Sequence, residues 1–448
     1  MENSVKRTGQ TGGPRLRRVL TLRDLVLYGV VIIQPVAPMS VYGVLSERGH
    51  GHVVTAVLLA MVAMLCTGLS YGTMANAYPE SGSAFTYVSR EIHPSLGWLT
   101  GWCMLMDFVL NPLICTCWCA QQLNQFFPEM PVWIWKVVLA TGFTVLNLRA
   151  IRSSARTLAV LAAAMGVVVV VVIAAMVRHV MGTPGIGLAE LTRPFYDPER
   201  FEASALIHGT SLAVLTYIGF DGISTLADEA ENPQRNLRLA TVMTCLCIGM
   251  LAAVEVYLAQ LVWPASRPFP NADTAYVAVA GEVWPPLFAI LGVTLLVANL
   301  GSGAAAHLGA ARLLYAMGRS GALPQRPFAW LHPKSHIPHA NVLLIGAAVM
   351  GGSFFISFSL GVELLNFGAL LAFVGVNASA FRRTVSRTRT PSRLLGLAAA
   401  IGFVVCLALW ISLSRVALVV GGFWLAVGLV LGAGRTACFR RPPALTKA

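Results

Sequence analysis

Gly219-Phe220-Asp221-Gly222 stands well inside an apolar run that extends from Ser204 to Asp228. A run of that length matches the roughly 20 helical residues that cross a hydrocarbon core about 30 Å thick. Two glycines lower helix propensity at that point, and a carboxylate turned to lipid there costs about 2.5–3.5 kcal/mol or more. Such a span is expected to be interrupted, with its carboxylate facing the protein interior or water. Gln34-Pro35-Val36-Ala37-Pro38 acts similarly on an earlier apolar run. Each proline lacks an N–H and disfavours helix at the residue before it, so the backbone is expected to open there too.

Twelve apolar runs of spanning length are read, at 22–44, 53–77, 95–125, 131–148, 156–178, 204–228, 239–262, 284–317, 340–358, 361–381, 394–413 and 415–434. The interrupted runs are the first and the sixth. That offset of five is what an inverted repeat of spans 1–5 and 6–10 gives, with substrate held at the midplane where half-helices end. The chain then divides into an N-terminal tail at 1–21, a ten-helix core at 22–381, a loop at 382–393, helices 11 and 12 at 394–434 and a tail at 435–448.

Fifty-six per cent hydrophobic residues and 11% charged ones, with a mean hydropathy of +0.70, exclude a soluble domain, whose surface needs far more charge. The net charge of +13 does not imply a nucleic-acid partner, because Lys and Arg lie in short clusters between apolar runs. An even number of spans puts both termini on one side. All but Arg48, Lys136, Arg178, Arg193, Arg200, Arg267 and Arg415 of the 32 Lys and Arg fall on that side. The positive-inside rule then predicts a multi-pass inner (plasma) membrane protein with both termini cytoplasmic. No stretch reads as a cleavable signal, and eight of the nine cysteines lie inside apolar runs, against a disulfide framework.

Three carboxylates lie well within spans: Asp107 in the third, Asp221 in the sixth and Glu255 in the seventh. No intramembrane Lys is evident to pair with them, so they are candidates to meet a cationic ligand or carry a proton. Asp221 also has the means to cap its own broken helix, and Glu255, nearer the outer end of its span, to reach the interface by snorkelling. Trp102, Phe108, Tyr217 and Phe220 are the aromatic candidates for a cavity wall, where a cation meets a ring face. His332, His336 and His339 are separated by Pro333 and Pro338 and do not share a helix face, so no metal is expected there. Cys115, Cys117 and Cys119 read as packing. No Walker loop, zincin helix or nucleophile elbow is present; no catalytic residue and no cofactor is expected, and coupling to an ion gradient remains.

The stretch Gly219-Phe220-Asp221-Gly222, followed by Glu229, Glu231, Asn232 and Pro233, resembles the GFD…EE…NP signature of the amino acid-polyamine-organocation superfamily of permeases. Tyr78-Pro79-Glu80-Ser81-Gly82-Ser83 through Tyr87 is similar to that family's segment after span 2. Gly97-Trp98 through Asp107, and Ala311-Arg312-Leu313-Leu314-Tyr315 through Arg319 with Leu331-His332-Pro333-Lys334, look most like its putrescine-importer branch. The resemblance covers nearly the whole chain. It implies a LeuT-type fold of twelve helices with broken helices 1 and 6, alternating access, a site between spans 1, 3, 6 and 8, and proton coupling. Two departures matter. Amino-acid-transporting members carry a Gly-Ser-Gly type motif at the first break, exposing N–H groups to an α-carboxylate. Here Gln34 to Pro38 removes donors and leaves carbonyls, which suits an ammonium group. Some proton-coupled members also place a Lys in the fifth span, where this chain has apolar residues around Ala162 to Met165.

The sequence therefore leads to an all-α polytopic secondary transporter that imports a small amine such as putrescine. Gln34, Pro35, Val36, Ala37, Pro38, Asp107, Tyr217, Gly219, Phe220 and Asp221 are expected to bind substrate, and Asp107, Asp221 and Glu255 are the proton-coupling candidates. Its expected partners are the amine or amino acid substrate, protons or another coupling ion, and membrane lipids. An amino acid permease or amino acid/amine exchanger is the alternative within transport, and a transport-inactive membrane sensor the alternative outside it.

Overall fold

The structure is a computed structural model and describes residues 20–78, 83–149, 155–185, 187–227, 229–319, 323–333, 335, 337–386 and 393–435. Among these residues there is no β-strand, and an isolated parallel bridge joins Leu20 to Ala230. Thr21 opens α1 (Leu22–Ile33) in a reciprocal cap. Its hydroxyl accepts from the Asp24 N–H at 3.4 Å, and its own N–H donates to the Asp24 carboxylate at 2.9 Å. The helix stops where Gln34, ahead of Pro35, takes φ 67°. It resumes as α2 (Ala37–Arg48), with Pro38 in the first turn where its missing N–H has no helical partner to lose. The two pieces are bent by 48°.

Next come α3 (Val53–Ala77), α4 (Ser83–Glu91), α5 (Pro94–Phe126), α6 (Val132–Leu148), α7 (Ala155–Gly182), α8 (Leu188–Thr192) and α9 (Ala203–Ala213). The sixth apolar run, expected as one helix broken near Gly219, is α-helical only to Ala213. It continues as 3-10 turns over Val214–Tyr217 and Phe220–Leu226. Hydroxyls there compete for main-chain carbonyls, Ser211 bonding His208 and Thr216 bonding Ala213, each at 2.7 Å. Gly219, between the two turns, has φ 122°, a conformation L side chains adopt only under strain. The remaining helices are α10 (Pro233–Val262), α11 (Ala275–Val283), α12 (Pro285–Arg319), α13 (Gln325–Phe328), α14 (His339–Phe355), α15 (Phe358–Ser386), α16 (Arg393–Ile411) and α17 (Arg415–Arg435).

Eight of these (α3, α5, α7, α10, α12, α15, α16 and α17) are long and apolar enough to cross a bilayer, and the bent pair α1–α2 makes a ninth. The other three expected runs are the shorter apolar helices α6 and α14, of 17 residues each, and the interrupted 203–226 segment. The protein is thus an all-helical, multi-pass membrane protein. Val167, Val170, Val419, Phe423 and Val430 are exposed on α7 and α17, a surface that suits lipid.

The packing pairs α10 with α3, α12 with α5, and α14 with α6, while α1 and α2 lie against the 3-10 turns and α9. Small residues permit the close approaches: Gly72 of α3 faces Arg238 of α10, and Gly303 of α12 faces Phe143 of α6 and Cys115 of α5. This arrangement brings both chain breaks to the same place.

Candidate functional site

At the junction of the breaks, a Cβ on Gly219 would lie 2.7 Å from the Ile32 side chain and 3.5 Å from the Ile33 nitrogen. Only a glycine lets the sixth run approach the end of α1 this closely. The first break is held from the side by Gln34, whose amide donates to the Ala298 carbonyl of α12 at 3.2 Å. Within the break, the Gln34 carbonyl accepts from Ala37 N–H at 3.0 Å and the Val36 carbonyl from Met39 N–H at 3.1 Å. Two of the carbonyls expected to meet an ammonium are therefore already engaged inside the turn.

Asp107 of α5 and Asp221 of the 3-10 turn are both partly accessible, and their charges interact. Among the described residues neither is in an ion pair. Asp221 also caps its own break: its carboxylate accepts from Gly219 N–H at 3.2 Å, and Ser224 donates to its carbonyl at 2.6 Å. Four polar residues that sequence reasoning passed over continue this region. Asn111, one turn beyond Asp107 on the same face of α5, accepts at Oδ1 from Ser302 of α12 at 3.3 Å and from the Cys115 thiol at 3.5 Å. Asn299 of α12 reaches Ser40 of α2 at 3.4 Å. Polar groups from spans 1, 3, 6 and 8 thus face one another. The signal for Asn111 was in the sequence, as a polar residue four after Asp107.

Several expected side chains are placed elsewhere. Phe220 is fully buried in an aromatic cluster with Tyr71 of α3 and Phe373 of α15, at centroid distances of 5.5 and 5.3 Å. Tyr217 is fully buried, and its hydroxyl donates to Val57 of α3 at 2.9 Å. Trp102 stacks on Trp424 of α17 at 4.7 Å and donates to its carbonyl, so it joins helices and does not line a cavity. Phe108 packs over Gly309 of α12. Pro38 and Val36 are buried; Pro35 and Ala37 keep some accessible surface. Glu255 does not snorkel: it is fully buried, and neither carboxylate oxygen has a hydrogen-bond partner. His332 and His339 stack at 4.3 Å, while His336, Lys334 and the 79–82 part of the Tyr78–Tyr87 motif lie outside the described residues.

Two charged groups inside spans were missed. Glu363 near the start of α15 is buried and paired with His208 of α9 at 3.5 Å, and it also accepts from Ser414 N–H at 3.0 Å. Lys136 of α6 donates to the Ser353 carbonyl of α14 at 2.6 Å.

Toward the ends of the bundle, two sets of contacts tie the site shut. On the side where α2 and α5 end, residues 271–283 lie over α2, and Asn271 donates to Gln121 of α5 at 3.2 Å while Gln125 donates to Thr274. Burial pushes the Asp273 carboxyl of this lid up to about 6, with Glu47 adding to the rise and Lys136 opposing it. On the opposite side, the buried Glu91 of α4 accepts from Arg383 of α15 at 2.7 Å and from the Tyr78 hydroxyl at 2.9 Å. Leu20 N–H donates to Glu229 and its carbonyl accepts from Glu231, at 3.0 and 2.8 Å, joining the start of α1 to the end of the sixth run.

The fold and this region define a multi-pass membrane protein whose interior carries carboxylates and amides at interrupted helices. The chain belongs to the amino acid permease family, whose sequence profile matches residues 35–433. It is 33% identical over 446 residues to the low-affinity putrescine importer PlaP of Escherichia coli (strain K12), covering 97% of each chain. It is 25% identical to the branched-chain amino acid permease BcaP of Lactococcus lactis subsp. cremoris, over 92% of this chain and 93% of that one. The methylthioribose transporter of Bacillus subtilis (strain 168) is 23% identical over 95% of this chain and 94% of its own. The protein is a transporter of this superfamily and not an enzyme, and small amines or amino acids are its substrate class.

Proposed function

We propose that the protein imports a small amine, a polyamine such as putrescine, across the inner membrane by proton-coupled alternating access. The observation that carries this reading is the pair Asp107 and Asp221: two interacting carboxylates, partly accessible, without an ion-pair partner among the described residues. Like charges held together in a low-dielectric interior require a proton or a cation between them, and a diamine brings two ammonium groups. The Asn111 and Gln34 amides add polar contacts beside them, and Phe220 supports the site from behind. The likeness to the putrescine importer PlaP points the same way.

The reading includes twelve spans and a LeuT-type inverted repeat over residues 22–381, followed by two added helices. The packing supports it, because spans 1 and 6, 2 and 7, 3 and 8, and 4 and 9 lie against one another, as a pseudo-two-fold axis through the midplane requires. The Lys and Arg distribution supports cytoplasmic termini. The lid at 271–283 is then the outer closure, and the Glu91–Arg383 and Leu20–Glu229 ties belong to the inner one. The Asp107 or Asp221 carboxyl carries the coupled proton when substrate is absent.

Equilibrium binding of radiolabelled putrescine to the purified protein in detergent tests the substrate class. Diamines are expected to displace it and amino acids to fail. Replacing Asp107 by Asn is expected to weaken binding by roughly 10–150-fold, the worth of a hydrogen bond to a charged group. Displacement by branched-chain amino acids at lower concentration than by any diamine overturns the reading in favour of an amino acid permease.

A further inference from the structure

Glu255 is not explained by the substrate site. It lies on α10, fully buried, with both carboxylate oxygens lacking any hydrogen-bond partner. What covers it is the lid. Tyr276 of α11, also fully buried, donates its hydroxyl to the main-chain carbonyl of Glu255 at 3.2 Å. Tyr42 of α2 meets the Tyr276 ring edge-on at 5.5 Å, and the Met176 sulfur of α7 lies 3.7 Å from the Tyr276 hydroxyl. The titratable groups around it are therefore Tyr276 and, behind that, Tyr42. No charged group on α1, α2, α3, α7, α11 or the 3-10 turns interacts with it among the described residues.

An ionised carboxylate in such a place is an uncompensated buried charge, whereas the neutral acid is far less costly to bury. Water reaches Glu255 only when Tyr276 withdraws, and Tyr276 is part of the lid. We infer that Glu255 is a proton-binding site that gates the outer lid: it takes a proton from external water to form the neutral acid as the lid closes, and it returns that proton to the same side when the lid lifts. The balance is one O–H bond formed on closing and one broken on opening, with external water as donor and acceptor. This proton never crosses the membrane. It sets how readily the outer side closes at a given external pH and adds nothing to the driving force, unlike a proton carried at Asp107 or Asp221. The inference rests on the transporter reading for the meaning of the lid but not on the identity of the substrate.

The test reads the lid directly. Ala280, fully buried and one turn beyond Tyr276 on the same face of α11, is replaced by Cys in the full-length protein in liposomes. Its labelling by a membrane-impermeant maleimide is followed at pH 6, 7 and 8 on the lid side, above the labelling of the parent protein. Labelling is expected to accelerate with rising pH, by at most about tenfold per unit, as release of one proton dictates. Adding Glu255→Gln, which keeps the neutral shape, is expected to hold the rate at its pH 6 value throughout. Labelling of A280C that does not change with pH, or an unchanged pH profile in the double variant, overturns the inference. A pH-gated lid in a protein that binds no diamine leaves this site standing and refutes only the amine reading.

Discussion

Replacing Gly43 by Ala is the sharpest structural perturbation of the outer closure. A Cβ built on Gly43 of α2 lies 2.2 Å from the Ala272 carbonyl oxygen and 2.5 Å from the Ala275 Cβ, both in the lid. Neither atom is the end of a flexible side chain, so the lid itself must move by about 1 Å to regain ordinary van der Waals contact. Overpacking of this kind costs about 1–3 kcal/mol, which shifts the closing equilibrium toward open by roughly 5–150-fold. Alanine also raises helix propensity by up to about 1 kcal/mol over glycine, so unfolding of α2 is not the source of any loss. Substrate binding from the outside is expected to persist, while the maximal uptake rate falls by about the same factor as the closing equilibrium. Gly351, with nothing within 4 Å of its Cβ position, supplies the control: Gly351→Ala should transport normally. A Gly43→Ala protein that transports at the wild-type rate refutes closure of this lid onto α2.

Asp273→Asn tests the lid carboxyl. Because burial raises the folded pKa to about 6 from 3.8, the folded protein binds that proton more tightly than the unfolded chain. Stability is therefore undiminished below about pH 4 and is lost as pH rises through 6. The Asn variant should raise the apparent melting temperature at pH 7.5, from a gain on the order of 1–2 kcal/mol after solvent screening, and show no gain at pH 4; equal gains at both values contradict the assignment. Arg383→Gln leaves the buried Glu91 without its guanidinium and should destabilise by about 2–4 kcal/mol, read as a lower apparent melting temperature, with Glu91→Gln milder because the Tyr78 hydroxyl still finds an acceptor. Gln34→Ala removes the bond from the first break to α12 and should weaken substrate binding by roughly 2–10-fold, the worth of a neutral hydrogen bond, measured by the putrescine binding assay.

The sequence displayed the helical boundaries set by local chemistry and concealed those set by long-range contact. Pro35 and Pro38 ended α1 and restarted α2 where expected, since proline acts on its own neighbours. The 3-10 course after Ala213 was hidden, because it depends on Ser211 and Thr216 choosing local carbonyls over solvent. Asp107 and Asp221 were visible as carboxylates inside apolar runs, and Asn111 was readable from its spacing to Asp107. Glu363 escaped notice because it begins a span and its partner His208 lies on α9, far away in sequence. Glu255 was expected to reach the interface, and the structure buries it instead. The reason is Tyr276, on a nine-residue helix between spans that had read as loop. Phe220 and Tyr217 were expected to face substrate because they flank the break; their rings turn to α3 and α15, a choice that spacing alone does not reveal.

Uptake of radiolabelled putrescine into liposomes containing the purified protein, with and without an inward proton gradient, tests the central claim most directly. The account predicts uptake stimulated by the gradient in the wild type and abolished by Asp107→Asn. No putrescine flux beside robust amino acid flux contradicts it.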